Sequence, residues 1–226
     1  MNHPVGRSTA LHSRIVQPLI AMAKDVENMI DLAIESLLSS NLESAAGILQ
    51  REPVVNASEI KIDAAILAVL EKGDLALQEI RQAVAMLKIN KDLERMADLA
   101  TNIGRKVNEM AQRGGTQDCS DLQPMAIAVS HISRKTLRAL IHSDPVLAAN
   151  VVGGGTSVEF YRDYVFRNLR ARLEDGKTKR DALNLMLASR YLEQIAEHSS
   201  NVAESLIFWL KGKQTDDCTY KQAIAV

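Results

Sequence analysis

Glu94, Asp98 and Asn102 are spaced i, i+4 and i+8, a spacing that lines three oxygen-bearing side chains along one face of a helix. The same arrangement returns as Glu193, Glu197 and Asn201, at an offset of 193 − 94 = 99. Two carboxylates one turn apart repel each other unless a cation, an arginine or solvent screens them. Such a row is therefore either a solvated face or part of a cation site. Upstream, Glu59 and Asp63 form another pair, with Glu52 and Asn56 on the same face, and Glu159 and Asp163 form a later one. An antiparallel neighbour bearing such a pair would bring four oxygen donors together. Carboxylates without cysteine suit hard or borderline cations such as iron, manganese, magnesium or calcium, and zinc fits as well.

Other candidate chemistry is thinner. His198 follows Glu197 but is not repeated, since Leu99 stands in its place in the first copy, and it reads as a boundary histidine. No histidine has a glutamate three residues before it, which disfavours a di-iron carboxylate bundle. Gly153, Gly154 and Gly155 lack the Lys-Ser/Thr of a phosphate-binding loop and read as a helix break. No Ser/His/Asp or Cys/His arrangement is legible. Cys119 and Cys218 sit in polar stretches and form no disulfide framework, so neither is given a role.

The elements that must hold these rows are helices. Apolar residues make up 46% of the 226-residue chain, aromatics only 4%, and no strand-like runs occur. Steps of three and four carry the apolar positions from Leu11 through Leu19, Val26 and Ala33 to Leu37. A second stretch runs from about Leu42 to Glu71, with Pro53 as an expected kink or break. A third, from about Leu75 to Ala111, carries the seam Leu93, Met96, Ala100, Ile103, Val107, and Gly114-Gly115 closes it. On a 3.6-residue helix the acidic row lies roughly 100° from that seam, which places it at a boundary. After a polar stretch the order repeats, with helices over about Pro124–Ile141, Pro145–Leu173 and Thr178–Leu210.

The duplication is internal and in register. Leu93, Met96, Ile103 and Val107 fall on Leu192, Ile195, Val202 and Leu206 at the offset of 99. Further upstream the offset is 158 − 55 = 103, which pairs Val55 with Val158 and Asn56 with Glu159. The expected fold is all-α, a tandem of two three-helix bundles related by a pseudo-twofold or by translation. Its units are 1–115 and 124–212, with a linker at 116–123 and a tail at 213–226.

Lysine plus arginine (27) nearly cancels aspartate plus glutamate (28), which leaves no basic field for nucleic acid. No window is apolar enough to span a membrane and the N-terminus lacks a signal-peptide core, so a cytoplasmic location is expected.

The segments KDLERMADLATNI and RYLEQIAEHSSNVAE resemble the two signature stretches of the PhoU family of phosphate-uptake regulators, whose pattern is roughly Leu-Glu-Arg-Ile-Gly-Asp-His-Ala-x-Asn-Ile. VVNASEIKID and SVEFYRDYVFRNL resemble that family's upstream acidic motifs. The departures are Ala97 and Ala196 for the glycine, Glu197 for an aspartate and Gln194 for the arginine. The resemblance implies a non-enzymatic cytoplasmic regulator, often dimeric, with partners in a phosphate-specific ABC transporter and the sensor histidine kinase of phosphate starvation. It also implies a metal ion or cluster (iron, zinc, manganese or magnesium) on Glu59, Asp63, Glu94, Asp98, Glu159, Asp163, Glu193 and Glu197, with Glu52, Asn56, Asn102 and Asn201 in support. The second copy should bind less well, because Gly155 stands for Glu52 and Arg162 for Glu59. A metal-dependent helical-bundle enzyme and a metal-free helical scaffold are the alternatives.

Overall fold

The computed structural model describes residues 12–71, 73, 75–112, 118–152, 155–174 and 179–211. Among them are seven α-helices and no strand: α1 (Gln17–Ser39), α2 (Leu42–Leu70), α3 (Leu77–Ala111), α4 (Gln123–His142), α5 (Pro145–Ala149), α6 (Gly155–Glu174) and α7 (Lys179–Lys211). A π-helical turn, His12–Val16, leads into α1.

Two equivalent turns confirm the duplication at a place where the sequence pattern was silent. Ser40 closes α1 with a left-handed φ of 53°, and the Asn41 side chain then accepts from the amides of Glu43 and Ser44 to start α2. Ser143 closes α4 with φ 51°, and Asp144 caps α5 through Val146 and Leu147 in the same way. Both turns are 103 residues apart (143 − 40), the upstream offset. Gly73, at φ +63°, makes the tight turn between α2 and α3, where its missing Cβ removes the steric cost. The carboxylate of Glu79 then accepts from the Ala76 amide at 2.9 Å and satisfies one orphan donor of α3.

Pro53 does not break α2: the helix runs through from Leu42 to Leu70. Its ring is exposed, so the hydrogen bond it removes is lost on the solvent side, where water can take its place. The second copy differs. There the expected single helix is divided into α5 and α6, with a turn at Asn150–Val152; Gly155 opens α6, and Gly153 and Gly154 lie outside the described residues.

Across the two three-helix units one apolar cluster is continuous, and it includes Met22, Met86, Leu93, Met96, Leu192 and Ile195. Each such fully buried aliphatic side chain contributes roughly 1.5–3 kcal/mol. The largest helix contact is α3 against α7. Numbers rise along α3 as they fall along α7, for Lys88 meets the ring of Phe208 and Asp92 meets His198 and Asn201. Reversed direction rules out simple translation, so the repeats are related by a pseudo-twofold. The pairs Lys88–Phe208 and Asp92–Asn201 are centred, at the offset of 99, near Ala97 and Ala196, both buried. In the expected linker, residues 120–122 form a short 3₁₀ turn that buries Leu122, and Cys119 just before it is buried too. The tail at 213–226, Gly114-Gly115 and Cys218 lie outside the described residues.

Candidate functional site

The first acidic face is built from α2 and α3. Asn90, one turn before Glu94, is wholly buried, and its amide donates both to the Glu59 carbonyl at 3.0 Å and to Asp63 Oδ1 at 2.8 Å. This pins the two helices together at the level of the acidic pairs. The sequence reading missed Asn90, although the row 90, 94, 98, 102 simply extends the four-residue step by one turn.

Cations already populate this face. Lys91 Nζ lies 2.8 Å from Glu94 Oε2 and 3.6 Å from Glu59 Oε1, and the contact with Glu94 raises the ammonium above its ordinary pKa. Arg95 lies 3.6 Å from Asp98. Arg105 grips both oxygens of Glu52 at 3.1 Å and donates to Asn102 Oδ1. Burial, and then the neighbouring Glu94, push the Asp98 carboxyl above the usual carboxylate range. The Oδ1 of Asn56 is buried without a hydrogen-bond partner.

The second face is organised differently. Glu193 is buried, its side chain 4% exposed, and Arg162 NH1 reaches Oε1 at 2.6 Å while Arg190 holds Oε2. The boundary placement expected for this row thus fails at Glu193. It is pulled inward by two guanidiniums, which satisfy its charge. Asp163 is largely exposed and bound to Arg162 at 2.9 Å, and Glu159 and Glu197 are exposed. Arg162 therefore supplies the positive charge that Glu193 and Asp163 share.

Among the described residues no group of three or more His, Cys, Asp or Glu side chains is disposed to hold a metal ion. The fit of a cation differs between the copies. In the first, the donors are all hard oxygens, Asn56 offers a buried oxygen without a hydrogen-bond partner, and the Lys91 side chain is 53% exposed. A cation at this face would have to displace Lys91 from Glu94 and Glu59 and draw the carboxylates closer together. The second copy does not fit one, because its buried carboxylate, Glu193, is doubly capped by arginine.

Between the two faces, His198 Nδ1 lies 2.9 Å from Asp92 Oδ1, with Asn201 at 3.5 Å. Asn201 thus turns away from its own acidic row and toward the first copy. The pseudo-twofold equivalents of Asp92 and His198 are Tyr191 and Leu99, so this polar clasp exists on one side of the axis only.

A family model described as the PhoU domain matches the chain twice, over residues 19–107 and 122–206. A Zymomonas mobilis protein named phosphate-specific transport system accessory protein PhoU homolog is 30% identical over 187 residues, covering 82% of this chain and 79% of its own. A homolog of the same name from Deinococcus radiodurans is 25% identical over 201 residues, covering 88% and 94%. The crystal structure of PhoU from Pseudomonas aeruginosa superposes with a TM-score of 0.85 at 24% identity, over 91% of this chain and 99% of that one. With both repeats matched, the chain belongs to the PhoU family.

Proposed function

We propose that this protein is a non-enzymatic cytoplasmic regulator of phosphate homeostasis. It restrains a phosphate-specific ABC transporter, and keeps the sensor histidine kinase of the starvation response inactive, when phosphate is plentiful. The observation that carries this reading is the family match across both repeats, to relatives named as accessory proteins of phosphate transport. No helix of the described residues is long and apolar enough to cross a membrane, so attachment to the membrane would come through partners. The protein acts as a homodimer in this proposal. Deleting it should derepress phosphate-starvation genes in phosphate-rich medium, and reintroducing it should restore repression. Unchanged expression in the deletion strain would overturn the proposal.

The first acidic face takes a cation, from among iron, zinc, manganese and magnesium, through Glu59, Asp63, Glu94 and Asp98, with Asn56 in support. When bound, the cation supplies charge neutralisation that ties α2 to α3, and no substrate is turned over. Asn90 pins the two helices together at this level. A second reading, in which the acidic rows are purely structural, is favoured by one observation: Lys91, Arg95 and Arg105 already stand against these carboxylates. Elemental analysis of the purified protein separates the two.

A further inference from the structure

Four of the chain's eight aromatic residues, Phe160, Tyr161, Tyr164 and Phe166, lie within seven positions of α6. A soluble helix normally turns such residues inward. Here Phe160 is 63% exposed, Phe166 41% and Tyr164 40%. The helix is anchored on its other side by Val158, Val165 and Leu169, all buried, with Tyr161 partly buried against the core, which leaves Phe160, Tyr164 and Phe166 outside. The corresponding positions of α2, at the upstream offset of 103, are Ala57, Lys61 and Asp63, so the aromatic face belongs to the second repeat alone.

The same face carries two arginines that have no ion-pair partner among the described residues. Arg167 donates to the Asp163 backbone carbonyl, and Arg170 is exposed. With Phe160, Arg162, Asp163 and Phe166, Arg167 lines an open groove of 550 Å³. From Phe160 to Arg170 the face is about 15 Å long at 1.5 Å per residue, which is two to three turns of a partner helix. Aromatic and arginine side chains are the types that carry binding energy at protein interfaces.

The geometry points to the α6 face as a docking surface for an acidic amphipathic segment of another protein. Charge selects this occupant. A second copy meeting the face on itself would oppose Arg167 and Arg170 to their own kind across a twofold. The acidic rows of α2 and α3 offer no better match, since Glu52, Glu59, Glu94 and Asp98 are already held by Lys91, Arg95 and Arg105. An anionic bilayer is disfavoured because Glu159 and Asp163 lie among the aromatics, where insertion would have to desolvate them. A partner helix with apolar anchors at i, i+4 or i+7 and flanking Asp or Glu fills the groove and meets both arginines.

The test is selection of displayed random helical peptides on the full-length protein, followed by fluorescence-anisotropy titration of the winners. Selected peptides should be enriched in Asp and Glu around aliphatic or aromatic anchors. Their affinity should fall about tenfold or more in Arg167→Glu/Arg170→Glu and in Phe160→Ala/Phe166→Ala, as expected for hot-spot side chains. It should be unchanged in Ile60→Ala/Leu67→Ala, which alters the exposed apolar residues of α2. All six side chains are exposed, and unchanged helical circular dichroism verifies folding of each variant. Enrichment of basic or neutral peptides, equal binding by the charge-reversed variant, or no enrichment above that variant would overturn the proposal. Tighter binding to phosphatidylglycerol vesicles than to any selected peptide, lost in the same variants, would assign the face to a bilayer instead and overturn it as well.

Discussion

The doubly capped Glu193 offers the sharpest test of the way the second repeat is built. Replacing Arg162 and Arg190 together by Met keeps the aliphatic stems that pack along α6 and α7 but leaves a carboxylate that is 4% exposed with no cation. Breaking a buried ion pair in this way costs about 3–5 kcal/mol. Here the lower end applies, since the Arg162 and Arg190 side chains are 32% and 49% exposed and water can reach the site they vacate. Either single variant leaves one guanidinium in place and should cost only about 1 kcal/mol, in keeping with a partly screened pair. A loss of about 3 kcal/mol in a protein of this length lowers the melting temperature by roughly 6–12 °C. Adding Glu193→Gln to the double variant removes the buried charge and should return at least half of the loss, leaving about 1–2 kcal/mol for an unsatisfied amide. Urea denaturation at constant ionic strength, with the four variants measured as a cycle, gives all the differences. A double variant within 1 kcal/mol of the parent, or no recovery on adding Glu193→Gln, would refute the claim that arginine does here what a cation would do in the first repeat.

Asn90→Ala should cost about 2 kcal/mol, because it removes a buried donor shared by Glu59 and Asp63 and opens a gap between α2 and α3; chemical denaturation measures it. Glu94→Ala/Asp98→Ala should remove most bound metal and Glu193→Ala/Glu197→Ala less, while Lys91→Met, by removing the competing ammonium, should raise metal content; elemental analysis after dialysis checks all three, and equal losses from the two double variants would contradict the asymmetry. Cys119 should resist alkylation in the folded protein at pH 8, because burial, with Asp118 adding to it, pushes the thiol up to about 11 and leaves it protonated. Iodoacetamide labelling of a Cys218→Ser variant, read by mass spectrometry before and after urea, reports on Cys119 alone.

Much of this protein follows from local pattern. Three-and-four spacing of apolar residues sets the helices, and duplication of that spacing sets the repeat, because each helix must bury one stripe wherever it ends up. Glu59, Asp63, Glu94 and Asp98 were legible as facing rows for the same reason: side-chain direction on a helix depends only on residue number. The direction in which α3 meets α7 was not legible, since translation and a pseudo-twofold give the same repeat in sequence. Contacts between residues over a hundred positions apart, such as Asp92 with His198, decided it. Pro53 gave a similar ambiguity, because whether a missing hydrogen bond matters depends on which side of the helix faces water. The two acidic rows look alike in sequence, and only Gly155 and Arg162 upstream of the second hinted at a difference. Only tertiary structure shows Glu193 drawn inside between two arginines and Asn90 buried between α2 and α3, because the burial of a charge or an amide is set by partners from other helices and not by its own.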